Sequence, residues 1–286
     1  MTGPAPAGIV DAHVHLWDVD RMRLSWWRPE LRLPRAATTG ALRDAARAVT
    51  APRPVRGAIA VQAADTLGEA AWLAGVALGD PFVRAVVLQY DARSDPSAWA
   101  GMAQPVVDGG RASVAGIRLA TPGGAADFGD VAGLDALCDG LAATGRVLEL
   151  LIRAEQLPAA AALARRHPEL AVVVCHLAIG GDAPDPAWRR AIGAFAAEPN
   201  ASAKVSGLVR DEPGDAARVR AIVHHAVDAF GADRLLFGSD WPISARFADY
   251  DVVVRRTAAA LPDLDDAARA AFWSGTATRR YALATA

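Results

Sequence analysis

Two histidines, His13 and His15, stand two residues apart in the run IVDAHVHL that begins at Ile9. On an extended strand, residues i and i+2 share a face. Both imidazoles can therefore reach one metal ion. Two further groups of similar chemistry lie far along the chain: His176 closes the run LAVVVCHL, and Asp240 lies in RLLFGSDWP. A histidine and a carboxylate are the side chains most used for general acid–base work, and the carboxylate is also a metal ligand. Each signal alone has an ordinary explanation, since satisfied polar histidines at strand ends are common. Their value depends on whether the fold brings them together.

The elements that must position them alternate along the chain. Eight β-branched runs begin at Ile9, Val55, Val83, Ser113, Arg146, Leu170, Ala201 and Arg234. Their starts recur about every thirty residues, the length of one strand plus a crossover helix. The stretches between them read as helices. Residues 134–144 end at Gly145, 155–167 are stopped by Pro168, and 213–230 open with Pro and an acid and end at Gly231. A last helix is expected from near Asp265 into the segment ARAAFWSGTATRRYAL. Strand–helix alternation implies a parallel sheet. Eight units predict a closed (β/α)8 TIM barrel of the α/β class, with one domain over 1–286. A dinucleotide-binding sheet would carry a glycine-rich turn after its first strand, and LWDVDRMRLSWWRPE has no glycine.

Composition narrows the class further. The chain has 286 residues, 52% hydrophobic, with a net charge of −2. That balance offers nothing to a phosphate backbone, so no nucleic-acid partner is expected. No apolar run approaches the ~18 residues of a membrane span, and MTGPAPAGIVDAH does not read as a signal peptide. Two cysteines, Cys138 and Cys175, make no disulfide framework. A cytoplasmic protein acting on a small molecule, with no membrane partner, is the expectation. The sequence sets no oligomeric state.

In a barrel the catalytic face lies at the C-terminal ends of the strands. Parity places Asp11, His13 and His15 together on the inner face of strand 1. It places His176 at the end of strand 6, and Asp240 above Gly238 on strand 8. Other inward polar groups can be assigned in the same way. Gln62 ends strand 2, Arg118 shares a face of strand 4 with Gly116 and Ala120, and Lys204 shares one of strand 7 with Ser206. Glu149 and Arg153 are placed to pair on strand 5. Gln62, Arg118, Lys204 and Trp241 are the expected substrate contacts, with salt bridging inside the barrel as the alternative for each. Lys204 is the only lysine among the 30 Lys and Arg residues. Either a tight site beside the substrate or a buried pair with a carboxylate such as Glu149 would account for it. The loop from Leu16 to Arg35 holds Trp17, Trp26, Trp27 and several arginines. It caps a ligand or is stapled to the barrel by its tryptophans.

DAHVHLWD, AIAVQA, GIRL, ELLIRAEQL, the histidine ending strand 6, KVSGL and FGSDWP occur in that order. Over about Ile9 to Leu283 the chain resembles the amidohydrolase superfamily, in its amidohydrolase-2 branch. Sugar lactonases, sulfomuconolactonase and pyrone-dicarboxylate lactonase belong to that branch. The resemblance implies His13, His15 and Asp240 as metal ligands, with His176 and Asp240 catalytic. It implies a hydrolase that opens a lactone with Asp240 as general base. A non-oxidative decarboxylase of an aromatic or unsaturated acid is the second reading, and a non-catalytic binding barrel the third. After strand 6 the family pattern of Asp-His-Gly and a base is replaced by Cys175-His176-Leu177-Ala178, so a different substrate loop is expected. Strand 5 ends without a histidine and strand 4 without a lysine. Many members of the superfamily place ligands there, so a two-metal centre is not expected; one divalent ion, Zn or Mn, is the expectation, with a metal-free site, as in some relatives of the branch, as the alternative.

Overall fold

The computed structural model describes residues 8–64, 66–90 and 114–284. Its main sheet has eight strands in the order of the chain. They are β1 (Ile9–Val14), β2 (Val55–Val61), β3 (Val83–Gln89), β4 (Val114–Ala120), β5 (Val147–Leu151), β6 (Ala171–Val174), β7 (Ala201–Val205) and β8 (Leu235–Phe237). All seven consecutive pairings are parallel. A parallel bridge between Val14 and Trp241 closes the ring. The Asp240 amide donates to His13 O at 2.8 Å and the His15 amide to Trp241 O at 2.7 Å across that seam. This is the (β/α)8 barrel that the alternation predicts. Asp91 and Ser113, expected at strand ends, lie outside the described residues.

Helices α1 (Thr39–Arg47), α2 (Leu67–Gly79), α3 (Leu134–Ala143), α4 (Leu157–Arg166), α5 (Pro186–Ala196), α6 (Asp215–Phe230) and α7 (Tyr250–Ala260) flank the sheet. Local chemistry sets their starts. Thr38, Thr66 and Asp185 each accept from a backbone amide in the first turn of the adjoining helix. The expected last helix is broken into α8 (Asp266–Ala270), a π-turn at Ala271–Gly275 and α9 (Thr276–Arg280). A π-turn inserts one residue per turn and re-aims the helix on its C-terminal side.

Two apolar layers divide along strand parity. Ala58, Ala60, Leu148, Leu150, Val172 and Val174 join the large core between sheet and helices. Ile59, Val61, Ala85, Val87, Val147, Val173 and Leu236 fill the barrel interior. Ala277, Tyr281 and Leu283 from the C-terminal segment join the interior set. The barrel is thus filled partly by residues beyond its last strand. Among the described residues, no helix is long and apolar enough to cross a membrane.

Candidate active site

β1 does not keep its phase. Asp11 pairs with Ala58 and Val14 with Ala60, so three steps on β1 match two on β2. This bulge carries one extra residue and turns the face over. Val10 and Ala12 point into the barrel interior, and past the bulge so do His13 and His15. Asp11 is the exception to the expected set. It accepts from the Ser239 amide at 2.9 Å and from the Tyr250 hydroxyl of α7 at 2.7 Å, so it faces the outer layer. Its role is to fix the backbone beneath Asp240.

His13 and His15 bring their Nε2 atoms within 3.3 Å of each other. Asp240 Oδ1 lies 3.8 Å from the first and 3.6 Å from the second. His15 Nδ1 is 2.7 Å from Val61 O. A carbonyl only accepts, so Nδ1 carries the proton and Nε2 turns a lone pair into the site. Donor atoms of His13, His15 and Asp240 all fall within 4.8 Å of one another. Two imidazole nitrogens and a carboxylate are the ligand types that zinc and manganese take, and the residues present fit one divalent ion.

His176 arrives by a route that parity does not contain. Val172 and Val174 face the outer core, so an unbroken strand would send His176 there too. Instead β6 stops at Val174, and His176, Leu177 and Ala178 take φ of 53°, 54° and 52°. Three consecutive non-glycine residues in the left-handed region are costly and concentrate at functional sites. The turn swings His176 back over the barrel, with its ring 4.6 Å from that of His13 and Nδ1 2.8 Å from Ser206 Oγ. Room comes from Gly207, where a Cβ would sit 2.7 Å from His176 Nδ1. Asp240 likewise lies past its strand, at φ 61°. Gly238 lets it close over His13, since a Cβ there would meet His13 Cβ at 2.7 Å and Ser206 Cβ at 2.9 Å.

Electrostatics set the charges of His13, His176 and Asp240. Burial first, then the Lys204 ammonium, holds His13 well below the usual imidazole value. Burial also lowers His176, against an opposing pull from Asp240. Burial pushes Asp240 up, but His176, His15 and Arg118 more than offset it, so the carboxyl lies below its ordinary value. The neutral rings of His13 and His176 thus face an ionised carboxylate. Displaced titrations gathered in one cleft mark a functional site.

Above the group opens a cavity of about 500 Å³, lined by His15, Trp26, Gln89, Arg118, His176 and Asp240 together with Ser25 and apolar residues. Arg118 is held from two sides. Its Nε donates to Gln89 Oε1 at 3.0 Å and one terminal nitrogen to Gln62 O at 2.6 Å. Trp26 reaches the cavity from the loop after β1 and donates to Ala63 O at 2.7 Å. Trp17 packs edge-on against Trp26 with no exposure at all. The loop is therefore stapled by one tryptophan and presents another to the cavity.

Three expected substrate contacts are not on that surface. The Gln62 side chain turns outward to α2, donating to Glu69 at 3.3 Å and to Thr66 O at 3.0 Å. Its oxygen accepts from the Gln89 amide at 2.8 Å. Ile59 and Val61 hold the inward phase of β2, which leaves Gln62 on the other face. Trp241 packs in the outer core, 8% exposed. Lys204 points inward as parity requires, yet is fully buried and donates to Glu149 at 2.5 Å. Glu149 therefore pairs with Lys204 rather than with Arg153, which meets Asp182 at the surface. Gln89 and Ser25 are polar cavity residues not anticipated, although Gln89 continues the inward phase of Ala85 and Val87.

Fold and centre together define a hydrolase barrel whose polar groups converge where its first and last strands meet. The chain belongs to the amidohydrolase family, in its amidohydrolase-2 branch: the family model described as "Amidohydrolase" matches residues 10–283. It is similar to an L-fucono-1,5-lactonase of Burkholderia multivorans, 30% identical over 293 residues that cover 96% of each chain. An L-fucono-1,5-lactonase of Burkholderia ambifaria is 33% identical over 256 residues, 84% of this chain and 83% of that one. Among solved structures, an amidohydrolase from Burkholderia multivorans with bound zinc superposes with a TM-score of 0.84. It is 31% identical and the match covers 97% of this chain and 100% of that one.

Proposed function

We propose that this chain is a lactonase acting on the lactone of a sugar acid or a muconolactone-like ester. The observation that carries the reading is the likeness to two L-fucono-1,5-lactonases over most of both chains. A cavity that combines a carboxylate, a neutral histidine and a fixed guanidinium supports it. His13, His15 and Asp240 would hold one divalent ion, Zn or Mn, which when bound supplies Lewis acidity toward a carbonyl oxygen. Asp240, ionised in the resting site, accepts a proton from the attacking water. The same carboxyl returns it to the alkoxide that leaves as the ring opens. In this role Ser206 would donate to Nδ1, so that His176 carries its proton on Nε2 and donates to the carbonyl oxygen. Arg118 and Gln89 orient the ring substituents, and a guanidinium suits hydroxyl or carboxylate oxygens.

The test is proton release from a panel of five- and six-membered aldonolactones, beginning with L-fucono-1,5-lactone, read with a pH indicator. Ring opening well above the spontaneous rate is expected, with no CO2 evolved from aromatic acids. Evolution of CO2 without lactone opening would overturn the reading. The metal is checked separately. Purified protein should carry about one equivalent of zinc or manganese, and His15→Ala should lose it. Full lactone turnover in chelated, metal-free protein would make His13 and His15 substrate contacts instead.

A further inference from the structure

Directly beneath the centre, the Lys204 ammonium lies 2.5 Å from Glu149 Oε1 and 3.3 Å from His13 Nδ1. The Tyr281 hydroxyl donates to the same carboxylate oxygen at 2.5 Å, and the Cys175 thiol to the other at 3.4 Å. Lys204, Glu149, His13 and Cys175 have no exposed surface. Donor atoms of His13, Glu149 and Cys175 fall within 4.8 Å of one another. An imidazole, a carboxylate and a thiol are a zinc-type set. We infer that this trio is a second cation site, filled by the chain's own ammonium, and that Lys204 limits the centre to a single divalent ion. The inference rests on the single-ion reading of the first site and not on the lactonase reading.

Charge explains the filling. A buried carboxylate needs one positive charge beside it. The ammonium supplies that charge and leaves the Cys175 thiol protonated, a form that burial and Glu149 both favour. A divalent ion in the same place would be neutralised by Glu149 together with a Cys175 thiolate, the thiol proton leaving to solvent; with the first site filled as well, His13 would bridge the two ions as an imidazolate, its ring proton also leaving to solvent. The lysine is also singular in composition, the only one among the 30 Lys and Arg residues. A planar guanidinium is too broad to act as a compact point charge between Glu149 and His13.

The experiment is cobalt titration of the whole chain, read by the thiolate-to-cobalt charge-transfer band and by metal content. The first site offers only nitrogen and oxygen donors, so the thiolate band reports the second site alone. Whether the first site fills is read from total metal. Wild type should show no thiolate band at any cobalt excess. Lys204→Ala should gain the band and about one further equivalent of metal, and Cys175→Ser in that background should remove both. If Lys204→Ala folds only when cobalt is present and shows the band, the inference is supported equally. A band in wild type overturns it. So does a Lys204→Ala protein, folded or unfolded, that shows no band with cobalt in excess.

Discussion

Asp240→Asn is expected to lower turnover by at least ~10²-fold, the scale of general acid–base catalysis, while leaving the melting temperature close to that of the parent. The two side chains have the same shape, and asparagine tolerates the left-handed region that Asp240 occupies at φ 61°. The change removes the proton acceptor and the negative charge that His15 and His176 face. Asp240→Ala should in addition lower the melting temperature, because alanine carries ~1–2 kcal/mol of left-handed backbone strain as well as losing the carboxylate. Turnover number and melting temperature on one preparation decide the matter. A folded Asp240→Asn protein with near-parental turnover would end the general-base mechanism.

The second large effect concerns stability. Glu149→Gln should destabilise the fold by about 3–5 kcal/mol, the usual cost of leaving one member of a buried ion pair without its partner. Lys204 has no exposed surface and no other carboxylate among its described hydrogen-bond partners, so its charge would stay uncompensated. Replacing the group as a unit tests whether the cost is one of pairing. The triple change Glu149→Leu, Lys204→Met and Tyr281→Phe removes both charges and the hydroxyl that relied on them. Urea unfolding should show it less destabilised than Glu149→Gln alone, a strongly non-additive result. Additive losses would mean that the three side chains contribute independently.

The sequence made the barrel legible because its signal is global: strand, helix and strand again, with a spacing that repeats. His13, His15, His176 and Asp240 were legible because their types stand out against an apolar background at strand ends. Parity carried the rest only as far as the chain stayed regular. It holds along β7, where Ser202, Lys204 and Ser206 alternate with Ala201, Ala203 and Val205. It fails at Asp11, where a bulge reverses the face, and for His176, which reaches the centre by a left-handed turn. Bulges and left-handed residues depend on tertiary contacts such as Gly207 against His176, and nothing within three or four residues announces them. Gln62 and Gln89 show the finer limit. Both are glutamines at strand ends, and only the phase of Ile59 and Val61 against that of Ala85 and Val87 sends the first outward and the second into the cavity.

Tyr281 seals the barrel interior from a position beyond the last strand, with its hydroxyl on Glu149. On the ribosome this fixes the order of events. β1 to β7 can emerge, collapse and begin to pair, but the ring closes only when β8 meets β1 across most of the chain's length. The Lys204–Glu149 pair stays without its third partner until Tyr281 has cleared the exit tunnel. Synthesis runs at about 5–20 residues per second, so the unfinished interior is held open for seconds while apolar strand edges are already exposed. Nascent chains stalled before Tyr281 should therefore remain bound to holding chaperones, and release should coincide with the arrival of this segment rather than with completion of the eighth strand.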